Sequence, residues 1–366
     1  MFSDVYRGKK VLVTGHTGFK GSWLTAWLLR LGAKVIGVSD GIPTEPSMFR
    51  SLNLEVQIDH HIEDVRNLDN MIQIFMDHKP DFVFHLAAQP IVSVSFTSPC
   101  DTITTNAIGT MNILEVLRSA AWPVTAVFIT SDKSYDNVEW EWGYKETDHI
   151  GGKDIYSGSK AAAEVIIKCY VNSFFSARET NVNIGIGRAG NVIGGGDWAK
   201  DRIVVDMAKA WSHNKPVEIR CPDATRPWQH VLEPLSGYLA LGEDLFLRNV
   251  NHGEAFNFGP KAEQNRTVIE LLDAMYNCWS GNKPISAYSI IDQQPFNEAG
   301  LLKLNCDKAL FRLNWQAVLS YQETVEMTSD WYSIYFLEPS RLVEITSDQL
   351  TQYCSKADSA GLAWTD

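Results

Sequence analysis

The sequence predicts an α/β fold: a doubly wound parallel sheet followed by a smaller, mixed α/β lobe. Three observations carry this expectation. Short apolar runs alternate with longer helical stretches through the first half of the chain, the rhythm of strand–helix–strand units whose strands lie parallel. The first apolar run ends in Gly15-His16-Thr17-Gly18-Phe19-Lys20-Gly21, a spacing that suits a tight strand-to-helix turn. The 366 residues suffice for two lobes around one cleft, since a domain takes ~100–200.

Taken in order, residues 10–15 read as a buried first strand and Ser22 to Leu31 as its helix. After a turn at Gly32, Ala33 to Val38 is the second strand. Gln57 to Ile62 is the third strand, Leu68 to His78 a helix, and Asp81 to Leu86 the fourth strand. Thr102 to Ser119 reads as one long helix, Thr125 to Thr130 as the fifth strand, Tyr156 to Phe175 as a helix and Val182 to Gly187 as the sixth strand. Residues 1–187 therefore read as a Rossmann-type unit. After Arg188 the texture changes. Glycines cluster at Gly190, Gly194, Gly195 and Gly196, and short apolar runs are broken by Pro216, Pro222, Pro227 and Pro234. Residues 188–366 read as the smaller, substrate-binding lobe. Ala255-Phe256-Asn257-Phe258-Gly259 is one more strand, placed to return to the main sheet. The first unit is thus expected to take in about 232–260, with the lobes interleaved.

Bulk composition excludes several classes. A hydrophobic content of 45% with 21% charged residues is that of a globular protein. A formal charge of −12 argues against non-specific nucleic-acid binding. Six scattered cysteines without a CxxC pair fit a reduced, cytoplasmic protein. The N-terminus lacks the apolar core of a signal peptide, and no apolar run approaches the ~20 residues that span a bilayer. There is no internal repeat. His60 and His61 adjoin but point to opposite faces of a strand, so Asp59, His60 and Asp64 read as a solvated loop and no metal is expected.

In the glycine loop, Gly15 allows the tight turn, Gly18 lets backbone approach a diphosphate, and Gly21 lets the helix pack on the sheet. Free N–H groups at the helix start then bind the diphosphate. Thr17, Phe19 and Lys20 complete this contact set. His16, a bulky imidazole beside the turn, is expected to hold the backbone off the ligand. Asp40 closes the second strand, where an acid accepts hydrogen bonds from a ribose and repels a 2′-phosphate, which favours NAD over NADP. A register shift would make Ser39 the contact, and Asp40 also reads as a plain turn residue. Asp64 and Val65 follow the third strand, where an adenine binds. Leu86, Ala87, Ala88 and Gln89 follow the fourth, along the nicotinamide ribose. Asn106 on the long helix joins them.

Tyr156 and Lys160 are four apart on a predicted helix and share a face. An ammonium there favours the phenolate and can hold a ribose, so Tyr156 can act as base toward a hydroxyl. Ser131-Asp132-Lys133 follows the fifth strand. A lysine is a base only when uncharged. Lys160 and a positive nicotinamide ring favour that state; Asp132 opposes it unless protonated. The bland alternative for Asp132 and Lys133 is a solvated ion pair in a loop.

The glycine pattern, the Ser131 position, the Tyr-x-x-x-Lys pair and a C-terminal lobe resemble the extended short-chain dehydrogenase/reductase family over nearly the whole chain. Within it, nucleotide-sugar 4,6-dehydratases carry a hydroxyl–acid–base string after the fifth strand, mostly Thr-Asp-Glu. Lysine in the third place resembles the CDP-glucose 4,6-dehydratases, as does Pro43-Thr44-Glu45-Pro46. The resemblance implies an NAD-dependent lyase. Tyr156 takes the C4 hydroxyl proton with Ser131 bonded to the same oxygen, Lys133 removes the C5 proton, Asp132 protonates the departing C6 hydroxyl, and hydride returns to C6. CDP-D-glucose becomes CDP-4-keto-6-deoxy-D-glucose, feeding deoxysugar and surface polysaccharide (lipopolysaccharide O-antigen) synthesis. The rivals are an NAD-dependent 4-epimerase, though epimerases usually lack the acid–base pair, and a non-catalytic dinucleotide-binding protein.

The resemblance also assigns a substrate set. Asn191, in Arg188-Ala189-Gly190-Asn191, reaches the diphosphate, and glycines 194–196 let backbone wrap the ligand. Arg226, in Arg226-Pro227-Trp228-Gln229-His230-Val231, grips phosphate; Arg202 is a further candidate, and His230 is either a contact or a packed core residue. Trp140-Glu141-Trp142 reads as an aromatic loop over the site or as plain packing. The long helices resemble those that pair in family dimers, implying a homodimer or homotetramer.

Overall fold

The computed structural model describes residues 1–176, 180–248, 250–261, 264–281, 283–291 and 301–366. Seven strands form one parallel sheet: β1 (Lys10–Thr14), β2 (Lys34–Ser39), β3 (Asp59–Ile62), β4 (Phe82–His85), β5 (Val124–Ile129), β6 (Val182–Ala189) and β7 (Ala255–Phe258). Their spatial order is 7-6-5-4-1-2-3. Every pairing is parallel, for example Leu12 beside Val83 and Val127 beside Gly185. The reversal between β1 and β4 is where such sheets open a ligand crevice beyond the carboxyl ends of their strands.

Burial explains the apolar runs. All six residues of β5 are buried, as expected for a central parallel strand covered on both faces. On one face, α2 (Leu68–His78), α3 (Gly109–Arg118) and α4 (Ile155–Tyr170) contribute Met71, Phe75, Ile113, Leu117 and Ile167 to a core. On the other, α1 (Phe19–Arg30) and α6 (Leu232–Leu247) contribute Trp23, Trp27, Leu235 and Leu239. The element boundaries differ from expectation by a few residues. The main difference is the helix read over 102–119. It begins with Pro99–Ile103, widens into a π-helical turn at Thr104–Ile108, and resumes as α3. Such turns are rare and collect at functional sites.

Beyond β6, short strand pairs build the second lobe: Val192–Ile193 with Gln229–His230, Thr225–Pro227 with Asn265–Thr267, and Val217–Ile219 with Tyr288–Ile290. The return of β7 beside β6 puts residues from the second half of the chain into the first sheet. Of the C-terminal helices, α7 (Tyr321–Leu337) packs on the second-lobe helix Val268–Cys278, whereas α8 (Leu342–Ser359) reaches back to the first unit. Tyr353 of α8 meets Trp27 edge-on at 5.8 Å, and Trp364 stacks on Phe2 at 4.9 Å, so the end of the chain covers its beginning.

Candidate active site

At the carboxyl end of β1, Gly15 adopts a φ of +73°, and a Cβ there would lie 2.7 Å from the Ala87 nitrogen. The turn and the loop after β4 therefore touch backbone to backbone, which only glycine permits. A Cβ on Gly21 would strike the Gly15 carbonyl at 2.1 Å. Gly18 stands just before α1, whose first N–H groups point out of the helix start. Thr17 donates its hydroxyl to the Gly41 carbonyl (2.7 Å), fixing the loop against the end of β2. Asp40 is exposed one residue past β2, as a ribose contact requires. Phe19 reaches toward Gly194 of the second lobe.

The remaining cofactor expectations divide. Ala87 and Ala88 lie half-buried along the crevice after β4, beside Leu86. Asp64 is held by Arg66 through paired hydrogen bonds (2.9 and 2.6 Å), which keep its carboxyl below the ordinary range. Val65 is buried against Gly109. Gln89 and Asn106 are already engaged. The Asn106 carboxamide accepts from the Gln89 N–H (2.8 Å) and donates to the Gln89 carbonyl (3.1 Å) and Ser159 (2.9 Å). Gln89 donates to Thr102 and accepts from the Ile91 N–H. These two residues shape the crevice by tying the β4 loop to the π-turn and α4. His16 turns away from the helix start. Its ring is buried on Gly37, 3.0 Å from Ser39 and 2.7 Å from His60, and desolvation pushes it down to about 4.

The Ser131-Asp132-Lys133 string lies where β5 ends. Ser131 accepts from the Lys133 N–H (3.2 Å) and starts the short turn Asp132–Ser134. Asp154 caps α4 by accepting from the Ser157 N–H (2.9 Å), which sets Tyr156 in the first turn of the helix. Tyr156, Lys160 and Glu164 then fall at i, i+4 and i+8 on one buried face. Glu164 accepts from Thr130 (2.6 Å), Ser134 (2.9 Å) and the buried Arg188 (2.9 Å), and Arg188 donates to Tyr135 (2.6 Å), which donates to Asn257 (2.8 Å). This network clamps both sides of the Ser-Asp-Lys turn to α4, β6 and β7. A broken buried pair costs ~3–5 kcal/mol, so the turn has little freedom.

Electrostatics separate the candidate roles. Burial raises the Asp132 carboxyl, opposed by Lys133, Ser131 and Lys20. Its Oδ1 accepts from Ser131 (3.0 Å), and its Oδ2 faces Gly190, where a Cβ would stand only 3.0 Å away. Lys160 is pushed down to about 8, by desolvation first, with Glu164 acting against it. Burial raises the Tyr156 phenol; Arg202 and the Ser131 hydroxyl act against that rise. The sequence reading credited Lys160 with favouring the phenolate. In the structure Arg202, not Lys160, is the leading influence in that direction. Lys20 also belongs here: desolvation takes it to about 8, with Arg202 and Lys160 lowering it and Asp132 and Asp197 raising it.

Two substrate-side expectations change. Glycines 194–196 serve packing. A Cβ on Gly195 would lie 2.0 Å from Trp331, one on Gly196 2.8 Å from Met48, and one on Gly194 2.9 Å from Val231. Trp23 also donates to the Gly195 carbonyl (2.9 Å). His230 is fully buried, edge-on to Trp23, and desolvation takes it to about 3, which fits the packed-core alternative. Asn191 is half-buried beside Gly190. Arg202 lies 3.9 Å from Asp197. Arg226 stands opposite Arg266 in the short antiparallel pair, and Arg266 lies 3.9 Å from Glu270. A cavity of about 200 Å³ opens beside Gly190, lined by Trp142, Pro227, Lys261 and Lys303 among others. Trp142 thus borders the cleft, while Trp140 packs against Tyr144 at 5.1 Å.

Sequence reading missed Glu164, Arg188, Tyr135 and Asn257 as the platform beneath the string. Only Glu164 carried a local signal, four residues past Lys160 on the same helix face.

Comparison with known proteins gives a consistent result. A profile described as GDP-mannose 4,6 dehydratase matches residues 12–328. The CDP-glucose 4,6-dehydratase of Salmonella typhimurium is 40% identical over 355 residues, covering 96% of this chain and 98% of that protein. Among solved structures, an epimerase of Methanothermobacter thermautotrophicus superposes with a TM-score of 0.78 at 23% identity, covering 93% of this chain and 96% of the other. A dTDP-glucose 4,6-dehydratase of Bacillus anthracis in complex with NAD gives 0.72 at 18% identity, covering 89% and 96%. At those identities the two structures establish the shared fold.

Proposed function

The chain belongs to the GDP-mannose 4,6 dehydratase family, and within it we propose that it converts CDP-glucose to CDP-4-keto-6-deoxyglucose and water, with NAD as a cofactor that ends each turnover as it began. The observation that carries this reading is the placement of Ser131-Asp132-Lys133. The string is clamped at the end of β5, with its acid against Gly190 of the substrate lobe and a Tyr156/Lys160 face beside it.

The cofactor fits the crevice, because the Gly15 turn and the free start of α1 form a cradle that a Cβ would fill. Gly15, Thr17, Gly18, Phe19, Lys20 and Gly21 hold its diphosphate, Asp40 its adenosine ribose, and Tyr156 and Lys160 the nicotinamide side. Bound there, NAD would supply an acceptor for the C4 hydride and, once reduced, a hydride donor for C6. Tyr156 takes the C4 hydroxyl proton, with Ser131 donating to the same oxygen. The new ketone acidifies C5. Lys133 removes the C5 proton, Asp132, whose pKa burial raises, delivers a proton to the departing C6 hydroxyl, and Lys133 returns a proton to C5 as C6 takes up hydride. Ser131, Tyr156 and Lys160 orient the ketone. Asn191, Arg202 and Arg226 bind the substrate's diphosphate.

The reading extends to a cytoplasmic homodimer or homotetramer serving surface-polysaccharide deoxysugar synthesis. Ile103, Ile108 and Val165 are exposed apolar residues on the helices proposed to pair, and among the described residues no helix is long and apolar enough to cross a membrane. Incubation with CDP-glucose and NAD⁺ followed by mass spectrometry tests the activity. Loss of one water supports it. Unchanged mass with inverted C4 would make the protein an epimerase, and no conversion would leave a dinucleotide-binding protein.

A further inference from the structure

At the amino end of the sheet, opposite the catalytic crevice, strand alternation separates the paired histidines of β3. His60 points to one face and meets His16 at 2.7 Å. Asp59 and His61, two residues apart, share the other face. There the last turn of α2 brings in His78. His61 Nε2 lies 3.2 Å from Asp59 Oδ1 and 3.1 Å from His78 Nε2, and Asp59 Oδ2 lies 3.5 Å from His78 Nδ1. One atom from each of the three residues fits within a sphere of mutual separations under 4.8 Å.

We propose that Asp59, His61 and His78 form a binding site for a divalent transition-metal ion of the zinc class. A ring nitrogen has a single in-plane lone pair or proton. The His61 Nε2 therefore cannot bond well to both Asp59 and the facing His78 Nε2, which competes for the same direction. A cation satisfies all three at once. With metal–ligand distances of ~2.0–2.1 Å, tetrahedral geometry separates ligand atoms by ~3.3 Å; the spacings of His61 Nε2 to Asp59 Oδ1 and to His78 Nε2, 3.2 and 3.1 Å, stand close to that value, and one ligand atom from each residue lies within 4.8 Å of the others. Two imidazoles and one carboxylate select zinc, cobalt(II) or nickel(II) over magnesium or calcium, which prefer all-oxygen shells. A fourth position is left for water; Asp59 is 55% exposed, and His61 and His78 are 29% and 21% exposed. Lys10 lies nearby, but its ammonium donates to the His78 carbonyl (2.7 Å) and so leaves the ring free.

The consequence is mechanical. β3 is the last strand of the sheet and pairs only with β2 among the described residues. An ion would join this edge strand to the end of α2, which lies 17 residues further along the chain, and so hold the outer margin of the dinucleotide-binding lobe.

The test uses the full chain, stripped with chelator and titrated with ZnSO₄ and, separately, CoCl₂. Calorimetry should give one zinc site, Co²⁺ should give the visible absorption of a low-coordinate nitrogen/oxygen site, and zinc should raise Tm by a few degrees. His61→Ala and His78→Ala should each weaken uptake at least tenfold. His60→Ala, on the opposite face, should leave it unchanged. In the unaltered protein, zinc should shield His61 and His78, but not His213, from diethylpyrocarbonate, which keeps the proposal testable if a variant folds poorly. Absence of uptake at micromolar zinc, or uptake and shielding that ignore His61 and His78, would overturn it.

Discussion

Asp132 and Glu233 are both buried carboxylates, and burial raises both, Glu233 to about 7. They differ in what surrounds their oxygens. Glu233 is saturated: Oε1 accepts from the Val318 and Leu319 N–H groups (2.9 and 2.7 Å), and Oε2 from the Tyr353 hydroxyl (2.7 Å). It ties α6 to the C-terminal helices. Asp132 takes one neighbouring hydroxyl and turns its other oxygen to bare glycine beside the cleft. A displaced carboxyl is therefore no mark of catalysis by itself. The mark is displacement together with an oxygen left facing the cleft and other titratable groups within reach.

The largest expected effect tests the Asp132 side. Asp132→Asn cannot donate the proton and should lower kcat by ~10²–10⁴ while leaving Tm nearly unchanged. A rate near that of the parent enzyme would erase the contrast. Tyr156→Phe should lower kcat by a similar ~10²–10⁴, with NAD affinity, read by calorimetry, changed far less.

Lys133→Met separates the steps. Methionine keeps the length but cannot take the C5 proton. Water loss and solvent-deuterium incorporation at C5 should stop, whereas C4 oxidation, followed as reduced-nicotinamide absorbance after mixing with substrate, should persist. If all steps slow together, Lys133 only positions Asp132. A smaller effect follows from the Tyr156 surroundings. Arg202 acts to lower the phenol pKa, so Arg202→Ala should shift the rising, base-dependent limb of the kcat–pH profile toward higher pH.

The smallest effect on activity belongs to Glu233. A buried acid whose folded pKa is raised binds its proton more tightly in the folded state. Its stabilisation is complete below the ordinary value of 4.5 and is lost as pH rises toward about 7, a change on the order of 3 kcal/mol. Glu233→Gln keeps the acceptor for Val318 and Leu319. It should flatten the fall in Tm between pH 5 and 8 and leave kcat at the parent value. A large loss of kcat at unchanged Tm would move Glu233 to the catalytic side of the comparison.

The sequence by itself determined the alternation of strands and helices, the turn at Gly15, and the two candidate catalytic runs Ser131-Asp132-Lys133 and Tyr156-Ser157-Gly158-Ser159-Lys160. These are contiguous, and the backbone periods of two and 3.6 residues fix which side chains face together. A doubly wound parallel sheet, and a strand at 255–259 placed to return to it, are legible in the same rhythm; the spatial order of the strands is not. Tertiary structure alone decided the rest. Glycines 194–196 look like a second ligand loop in one dimension; only the arrival of Trp331 and Met48 from distant segments shows that they make room for side chains. His230 keeps the company of a motif in sequence yet lies under Trp23. Arg202, from a segment beyond β6, opposes the effect of burial on the Tyr156 phenol, and the Glu164–Arg188 clamp exists because β6 lies beside β5. Each of these contacts joins residues from separate elements. Their proximity depends on sheet order and crossover geometry, which no local pattern of residues encodes.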